Sequence, residues 1–301
     1  MSQPQPIKSE VRDRNGVFDG SCPTLENGEP AIDLARYPID WPDDPAFRSL
    51  VGQCREQLSG PPHAAVVPGF VAPCAVKQMV AEAMELKAGA SHFNNQRTPW
   101  SPFKDPAFPD DHVRNRLQQD DCHLLAGDLI GEDTLNKRLY RWPALAHFLA
   151  ECLELETLYN HADPFQCLNI SYTDIGGEHI WHFDPADFVV SILLQTASSG
   201  GAFQYAAGHR NDPEHDYDAI SAVIDGVHPS INSLSVDPGD LVLFKGHNTL
   251  HRVSPVLSGG PRIIALLGFT REETLISSRE RNAFNYGDRI NDVWDTYGLP
   301  D

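Results

Sequence analysis

The chain has no long apolar run. Nothing in it approaches the ~20 consecutive apolar residues that cross a bilayer. Its first residues, Met1-Ser-Gln-Pro-Gln-Pro, have neither the basic n-region nor the apolar h-region of a secretory leader. No membrane association is expected, and a soluble, cytoplasmic protein is the expectation. Positive charge is scarce: 23 Lys and Arg stand against 42 Asp and Glu, a formal net charge of −19 at pH 7. Such a surface repels polyanions, which argues against nucleic acid and anionic lipid as partners. A small anionic ligand is still admitted, because one local Arg outweighs a distant field in a screening solvent. Paired cysteines are lacking as well. Cys22, Cys54, Cys74, Cys122, Cys152 and Cys167 form no CxxC pair and match no zinc spacing, so buried reduced thiols are expected. There is no internal repeat and no low-complexity block.

What is present is a chain of 301 residues in two styles. Residues 1–30 are polar and rich in Pro, Gly and acids, and read as a mobile arm or a surface wrap. Residues 31–301 read as a single domain with its β core at about 160–270. Phe47, Leu50, Val51, Cys54 and Leu58 recur at helical spacing behind Asp43, Asp44 and Pro45. Val76, Met79, Val80, Ala83 and Met84 mark a second helix, and Leu145, Phe148, Leu149, Cys152 and Leu153 a third. Between these helices, Ala64–Val67 suits a strand, and the segment from His92 to Asn115 reads as a long loop. From Phe165 onward strand-like runs take over, at 166–172, 188–195, 202–205, 233–236, 240–244 and 263–269, punctuated by Gly and Pro. Helices first and short strands afterwards imply an α+β protein, a jelly-roll double sheet with N-terminal helices packed on one sheet.

Three features of the β half carry chemistry. His182-Phe-Asp184 places an imidazole and a carboxylate two residues apart, on one side of an extended strand. His251 follows the turn Pro238-Gly-Asp240 and the apolar run 241–244. Arg262 opens the apolar run that continues to Phe269. Two imidazoles and one carboxylate on one face of an octahedron form the facial triad of iron(II) oxygenases, with three positions left open. A 2-oxo acid fills two of these and dioxygen the third, while the distal carboxylate of the acid calls for a planar, bidentate Arg.

This order of motifs resembles the 2-oxoglutarate/Fe(II) oxygenase superfamily, whose fold is a double-stranded β-helix (jelly roll, cupin-like). The resemblance covers residues 60–270, with the sharp motifs at 165–270. It implies Fe(II), 2-oxoglutarate and O₂ as cofactor and co-substrates, with His182, Asp184 and His251 as iron ligands and Arg262 as the 2-oxoglutarate anchor. Further segments, Ala162-Asp-Pro, Leu168-Asn169, His179 before His182, Asp187-Phe-Val-Val, Leu193-Leu-Gln195, Gly200-Gly-Ala-Phe-Gln-Tyr205 and His251-Arg-Val, are similar to a subgroup acting on free amino acids. That subgroup includes radical halogenases, hydroxylases and fungal oxidative cyclases that form aziridines. Its halogenases have a Gly in place of the carboxylate ligand; Asp184 stands there in this chain, which implies oxygenation or cyclisation rather than halogenation.

The same likeness nominates His179 as a substrate contact and Arg97 as the Arg for a substrate carboxylate, with Arg114 or Arg116 as substitutes. Asn169 and Asp187 complete the substrate set. His247 competes with His251 as ligand, and Arg252 with Arg262 as anchor. Trp181 and Phe183 are expected as packing, and His209, His215 and His228 are given no metal role. The expected activity is C–H oxidation, a hydroxylation, of a small free amino acid or related metabolite. The alternatives are oxidative cyclisation of a branched amino acid such as valine and a non-catalytic jelly-roll metal-binding module. The sequence leaves the oligomeric state open, a homodimer included.

Overall fold

The computed structural model describes residues 12–13, 16–17, 20–211 and 214–300. Half of the expected N-terminal arm, residues 1–11, 14–15 and 18–19, lies outside the described residues. Residues 20–25 lie against the body: the Trp142 indole donates to the Gly20 carbonyl at 3.2 Å, and Cys22 and Leu25 pack on the main core.

The two sheets that form the site contain eleven strands, numbered here in chain order. These are β1 (Ala64–Val67), β2 (Ser91–Phe93), β3 (Cys122–Leu125), β4 (Leu168–Thr173), β5 (His179–His182), β6 (Val189–Gln195), β7 (Phe203–Ala207), β8 (Asn232–Ser233), β9 (Leu241–Phe244), β10 (Thr249–Val253) and β11 (Arg262–Leu267). The larger sheet has seven strands in the order β1-β9-β6-β11-β4-β3-β2, and the smaller has four in the order β5-β10-β7-β8. All neighbours in both sheets are antiparallel.

The central strands of the large sheet are covered on both faces, one by an apolar core and the other by the site cavity. Leu168, Ile170 and Tyr172 of β4, Val190, Ile192 and Leu194 of β6, Leu241 and Leu243 of β9, and Ile263, Ala265 and Leu267 of β11 belong to the main core. Their alternates, Asn169, Ser171, Thr173, Ser191, Val242, Arg262 and Ile264 among them, turn to the opposite face and line a cavity. Strand periodicity of two thus sorts each run into a core set and a site set.

On the core face lie α1 (Pro45–Ser59), α2 (Pro73–Leu86), α3 (Leu135–Tyr140) and α4 (Pro143–Leu153). The α1 helix begins where the spacing predicts: the Asp44 side chain accepts from the Ala46 amide at 2.7 Å, and Pro45 occupies the first turn, where no amide is needed. The short α3 is absent from the sequence reading, as are α5 (Tyr217–Ile224), α6 (Arg279–Tyr286) and α7 (Arg289–Val293). Helix α5 backs the small sheet in a second core with Trp181, Phe183, Ala206 and Leu250. Tyr286, Ile290 and Trp294 of the C-terminal segment form a third with Phe165 and Ala126. No described helix is long and apolar enough to cross a membrane.

Candidate active site

The cavity between the two sheets has a volume of about 290 Å³. At one end, β5 and β10 run antiparallel with His182 opposite His251, so their rings lie 4.1 Å apart between centroids. Asp184 sits two residues past the end of β5, its amide held by the Gly246 carbonyl at 3.1 Å. Its Oδ1 is 3.5 Å from His182 Nε2 and its Oδ2 is 3.5 Å from His251 Nε2. One donor atom from each of the three residues lies within 4.8 Å of the others, and among the described residues no other group of His, Cys, Asp and Glu is so arranged. His247 is not part of it.

The hydrogen bonds of the two rings fix which nitrogen faces inward. His182 Nδ1 lies 2.7 Å from the Ile180 carbonyl and His251 Nδ1 lies 2.9 Å from the Thr249 carbonyl. A carbonyl only accepts, so each Nδ1 carries the proton and each Nε2 presents its lone pair beside Asp184. Burial pushes His182 well below its usual range, and the nearby His251, Arg97 and His179 add to this, which keeps the ring neutral. Burial pushes Asp184 up, but His251 and His182 outweigh it and hold the carboxyl well below the usual carboxylate range. Phe203 and Phe244 pack against the His251 ring, with centroids at 5.5 Å and 4.7 Å. This donor set, two imidazole Nε2 atoms and a carboxylate on one side with open cavity on the other, fits a divalent metal of the facial-triad type.

Arg262 is 6% exposed, enters β11 opposite Thr173, and lines the same cavity. Gly201, at φ +65°, lets the Arg262 stem pass: a Cβ there would be 3.3 Å from Arg262 Cδ. Burial lowers the Arg262 guanidinium to about 10, still charged at neutral pH, and no carboxylate pairs with it among the described residues. Arg252, its competitor in the sequence, donates to Gln204 at 2.8 Å and lies over the Trp181 ring.

The other nominated residues divide. Arg97, His179 and Asn169 line the cavity, and Asp187 does not; it lies at the surface, 3.3 Å from Arg271. Arg97 Nε donates to Asp120 at 2.6 Å, and His179 Nδ1 lies 2.6 Å from the same carboxylate. The Arg97 fork also reaches His179 Nε2 at 3.3 Å. Asn169 spends its amide on the Phe165 and Leu168 carbonyls and accepts from the Tyr286 hydroxyl at 2.9 Å. Arg114 and Arg116 pair with Asp105 and Asp225. Trp181 and Phe183 are packing, both buried in the core behind the small sheet. His179 and His182 share the cavity although three residues apart because the β5–β10 register shifts between them, a bulge that turns the strand.

Two residues of this site carry no signal in the sequence. Asp120, fully buried, accepts from the Ile180 amide at 3.0 Å as well as from Arg97. Burial opposes its charge, but His179 and Arg97 hold the carboxyl well below the usual range. In sequence it is one of two adjacent acids, with nothing to mark it. The second is Arg281, on α6, which lines the cavity. Helix α6 is pinned over the large sheet. Asn282 donates to Asp163 at 2.8 Å and accepts from Gln166 at 2.9 Å, Asn95 donates to the Phe284 carbonyl at 2.8 Å, and Ser91 donates to the Tyr286 carbonyl.

The family described as Halogenase D matches residues 125–285, more than half of the chain, which spans α3, α4, both sheets except β1–β3, and most of α6. No curated protein matches. Among solved structures, the non-heme alpha ketoglutarate dependent epimerase SnoN from nogalamycin biosynthesis is similar at 16% identity, with 75% of this chain and 82% of that chain covered and a TM-score of 0.51. AviO1 from Streptomyces viridochromogenes Tue57 is similar at 15% identity, with 77% and 98% covered and a TM-score of 0.50. At such identities the likeness is one of fold.

Proposed function

This chain belongs to the Halogenase D family, and we propose that it is a 2-oxoglutarate- and Fe(II)-dependent oxygenase that oxidises a C–H bond of a small free amino acid. The observation that carries this reading is the meeting of His182, Asp184 and His251 in one cavity with a buried Arg262 that lacks a carboxylate partner among the described residues. The description of SnoN as non-heme and alpha ketoglutarate dependent supports the same chemistry on this fold. The two facing sheets are read as the jelly roll of the superfamily.

On this reading His182, Asp184 and His251 hold the iron, and Arg262 holds the distal carboxylate of 2-oxoglutarate through its planar fork. When bound, ferrous iron and 2-oxoglutarate supply, with O₂, the oxidising power for C–H cleavage, yielding succinate and CO₂. The carbonyls of Ile180 and Thr249 keep both imidazoles in the tautomer that coordinates through Nε2. Asp184 fills the ligand position left vacant in the family's halogenases, so oxygenation is favoured over halogen transfer. A binding module without turnover would have no use for a 2-oxo-acid anchor.

The test is succinate formation from 2-oxoglutarate with Fe(II), ascorbate and each proteinogenic amino acid in turn. Stimulation by at least one amino acid is expected, with a product heavier by about 16 mass units for hydroxylation or lighter by about 2 for cyclisation or desaturation. No stimulation by any of them would overturn the amino-acid reading.

A further inference from the structure

In a chain of net charge −19, the cavity wall carries four arginines, Arg97, Arg252, Arg262 and Arg281, and one carboxylate, Asp184. Such a wall focuses anions out of a repelling surface field. Two of the four are matched. Arg97 pairs with the buried Asp120, and Arg252 reaches Gln204 and feels the charge of Glu178. Arg262 and Arg281 face no carboxylate among the described residues. The oxygenase reading occupies Arg262 with 2-oxoglutarate and leaves Arg281 over.

Arg281 is half-buried on the third residue of α6. Burial works against its charge, and so does the Arg97 guanidinium beside it. Of these two neighbouring guanidiniums only Arg97 has a carboxylate partner, which leaves the Arg281 charge unmatched in a shielded place, a cost that an incoming anion removes. The side chain is not free to drift off with its helix, because α6 is tied to the sheet through Asn282, Phe284 and Tyr286. Arg97 continues the line from Arg281 inward: its fork touches His179, whose ring stands 4.4 Å from that of His182. An anion on Arg281 is thus held at the end of a short row of side chains that leads to the triad.

We propose that Arg281 is the anchor for the carboxylate of the organic substrate, with Arg97, held in place by Asp120, as the wall beside it. This assignment rests on the oxygenase reading and names the group by which that site recognises its substrate: a carboxylate distinct from the two of 2-oxoglutarate.

The experiment is isothermal titration of the Fe(II)- and 2-oxoglutarate-loaded protein, kept anaerobic, with each proteinogenic amino acid and then with the amide of the tightest binder. The wild type is expected to prefer the acid to its amide by roughly tenfold or more, as for the loss of one charge-assisted contact. Arg281→Met is expected to remove that preference and to leave the affinity for 2-oxoglutarate in place, and Arg281→Lys to restore part of it. Circular dichroism of both variants checks that α6 and the sheets are intact. An Arg281→Met protein that still prefers the acid, or that loses 2-oxoglutarate affinity instead, overturns this assignment and leaves the oxygenase reading standing. A wild type that binds no amino acid overturns the amino-acid reading itself, and the assignment with it.

Discussion

Asp184 Oδ2 occupies the space that a side chain on Gly246 would take: a Cβ on Gly246 would fall on that carboxylate and come within 2.9 Å of His251 Cε1. The Gly246 carbonyl meanwhile holds the Asp184 amide at 3.1 Å. The glycine is therefore needed for close approach of backbone to carboxylate, and not for an unusual φ. Gly246→Ala is expected to push Asp184 out of line with the two imidazoles and to weaken Fe(II) binding by roughly 10- to 100-fold, the range for loss of support to a metal ligand. Equilibrium dialysis with Fe(II) measures it, and unchanged affinity would mean that the carboxylate does not need its present position.

Arg262→Met keeps the length of the side chain and removes its fork. On the proposed reading 2-oxoglutarate binding weakens by about 1.5–3 kcal/mol, the worth of a hydrogen bond to a charged group. Arg262→Lys recovers only part of this, because a point charge does not match a carboxylate bidentately. Titration with 2-oxoglutarate distinguishes the two. Equal affinity in wild type and Arg262→Met would assign the co-substrate to another cation.

Asp120 predicts a pH dependence of stability. Its folded pKa lies below its unfolded value of about 3.9. The stability it contributes is therefore complete above that unfolded value and is lost as the pH falls below it toward the folded pKa. Asp120→Asn is expected to be less stable at neutral pH by about 3–5 kcal/mol, because Arg97 is left buried without its partner. The variant should also show a shallower loss of stability below about pH 4. Denaturant midpoints measured from neutral pH into acid test both, and identical slopes in acid would show that Asp120 is not the group responsible.

Asn282 ties α6 to the body through Asp163, and it is fully buried. Asn282→Ala leaves part of the Asp163 carboxylate without its donor and is expected to cost about 1–3 kcal/mol. Limited proteolysis should then cut first around α6 and α7. Cleavage elsewhere first would place the weakest tie outside this helix.

The pair His182 and Asp184 and the helices α1, α2 and α4 are legible because each follows a short-range rule, period two, period 3.6, or a cap with Pro behind it, whereas His251 is legible only from the order of motifs along the chain. Most strands of the large sheet could be read from their apolar runs, although the runs at 188–195 and 263–269 did not reveal which face was core and which was cavity. Asp120 could not be read, because its partners Arg97 and His179 meet it only when separate strands are brought together. Arg281 was equally hidden. Helix α6 has polar residues on most of its length, and its buried members, Asn282 and Tyr286, are fixed by hydrogen bonds to distant residues rather than by an apolar stripe. Arg97 stands ahead of the triad in the sequence, but nothing there marks Asp120 as the carboxylate that neutralises it.

On the proposed reading His182, Asp184 and His251 together hold a ferrous ion that 2-oxoglutarate then chelates. Anaerobic titration of the protein with Fe(II) and 2-oxoglutarate, followed by the visible metal-to-ligand charge-transfer absorption, tests it most directly. The band is expected in the wild type at a single iron per chain, and its loss is expected in His182→Ala and His251→Ala. A band of full intensity in both variants, or none in the wild type with iron bound, would contradict it.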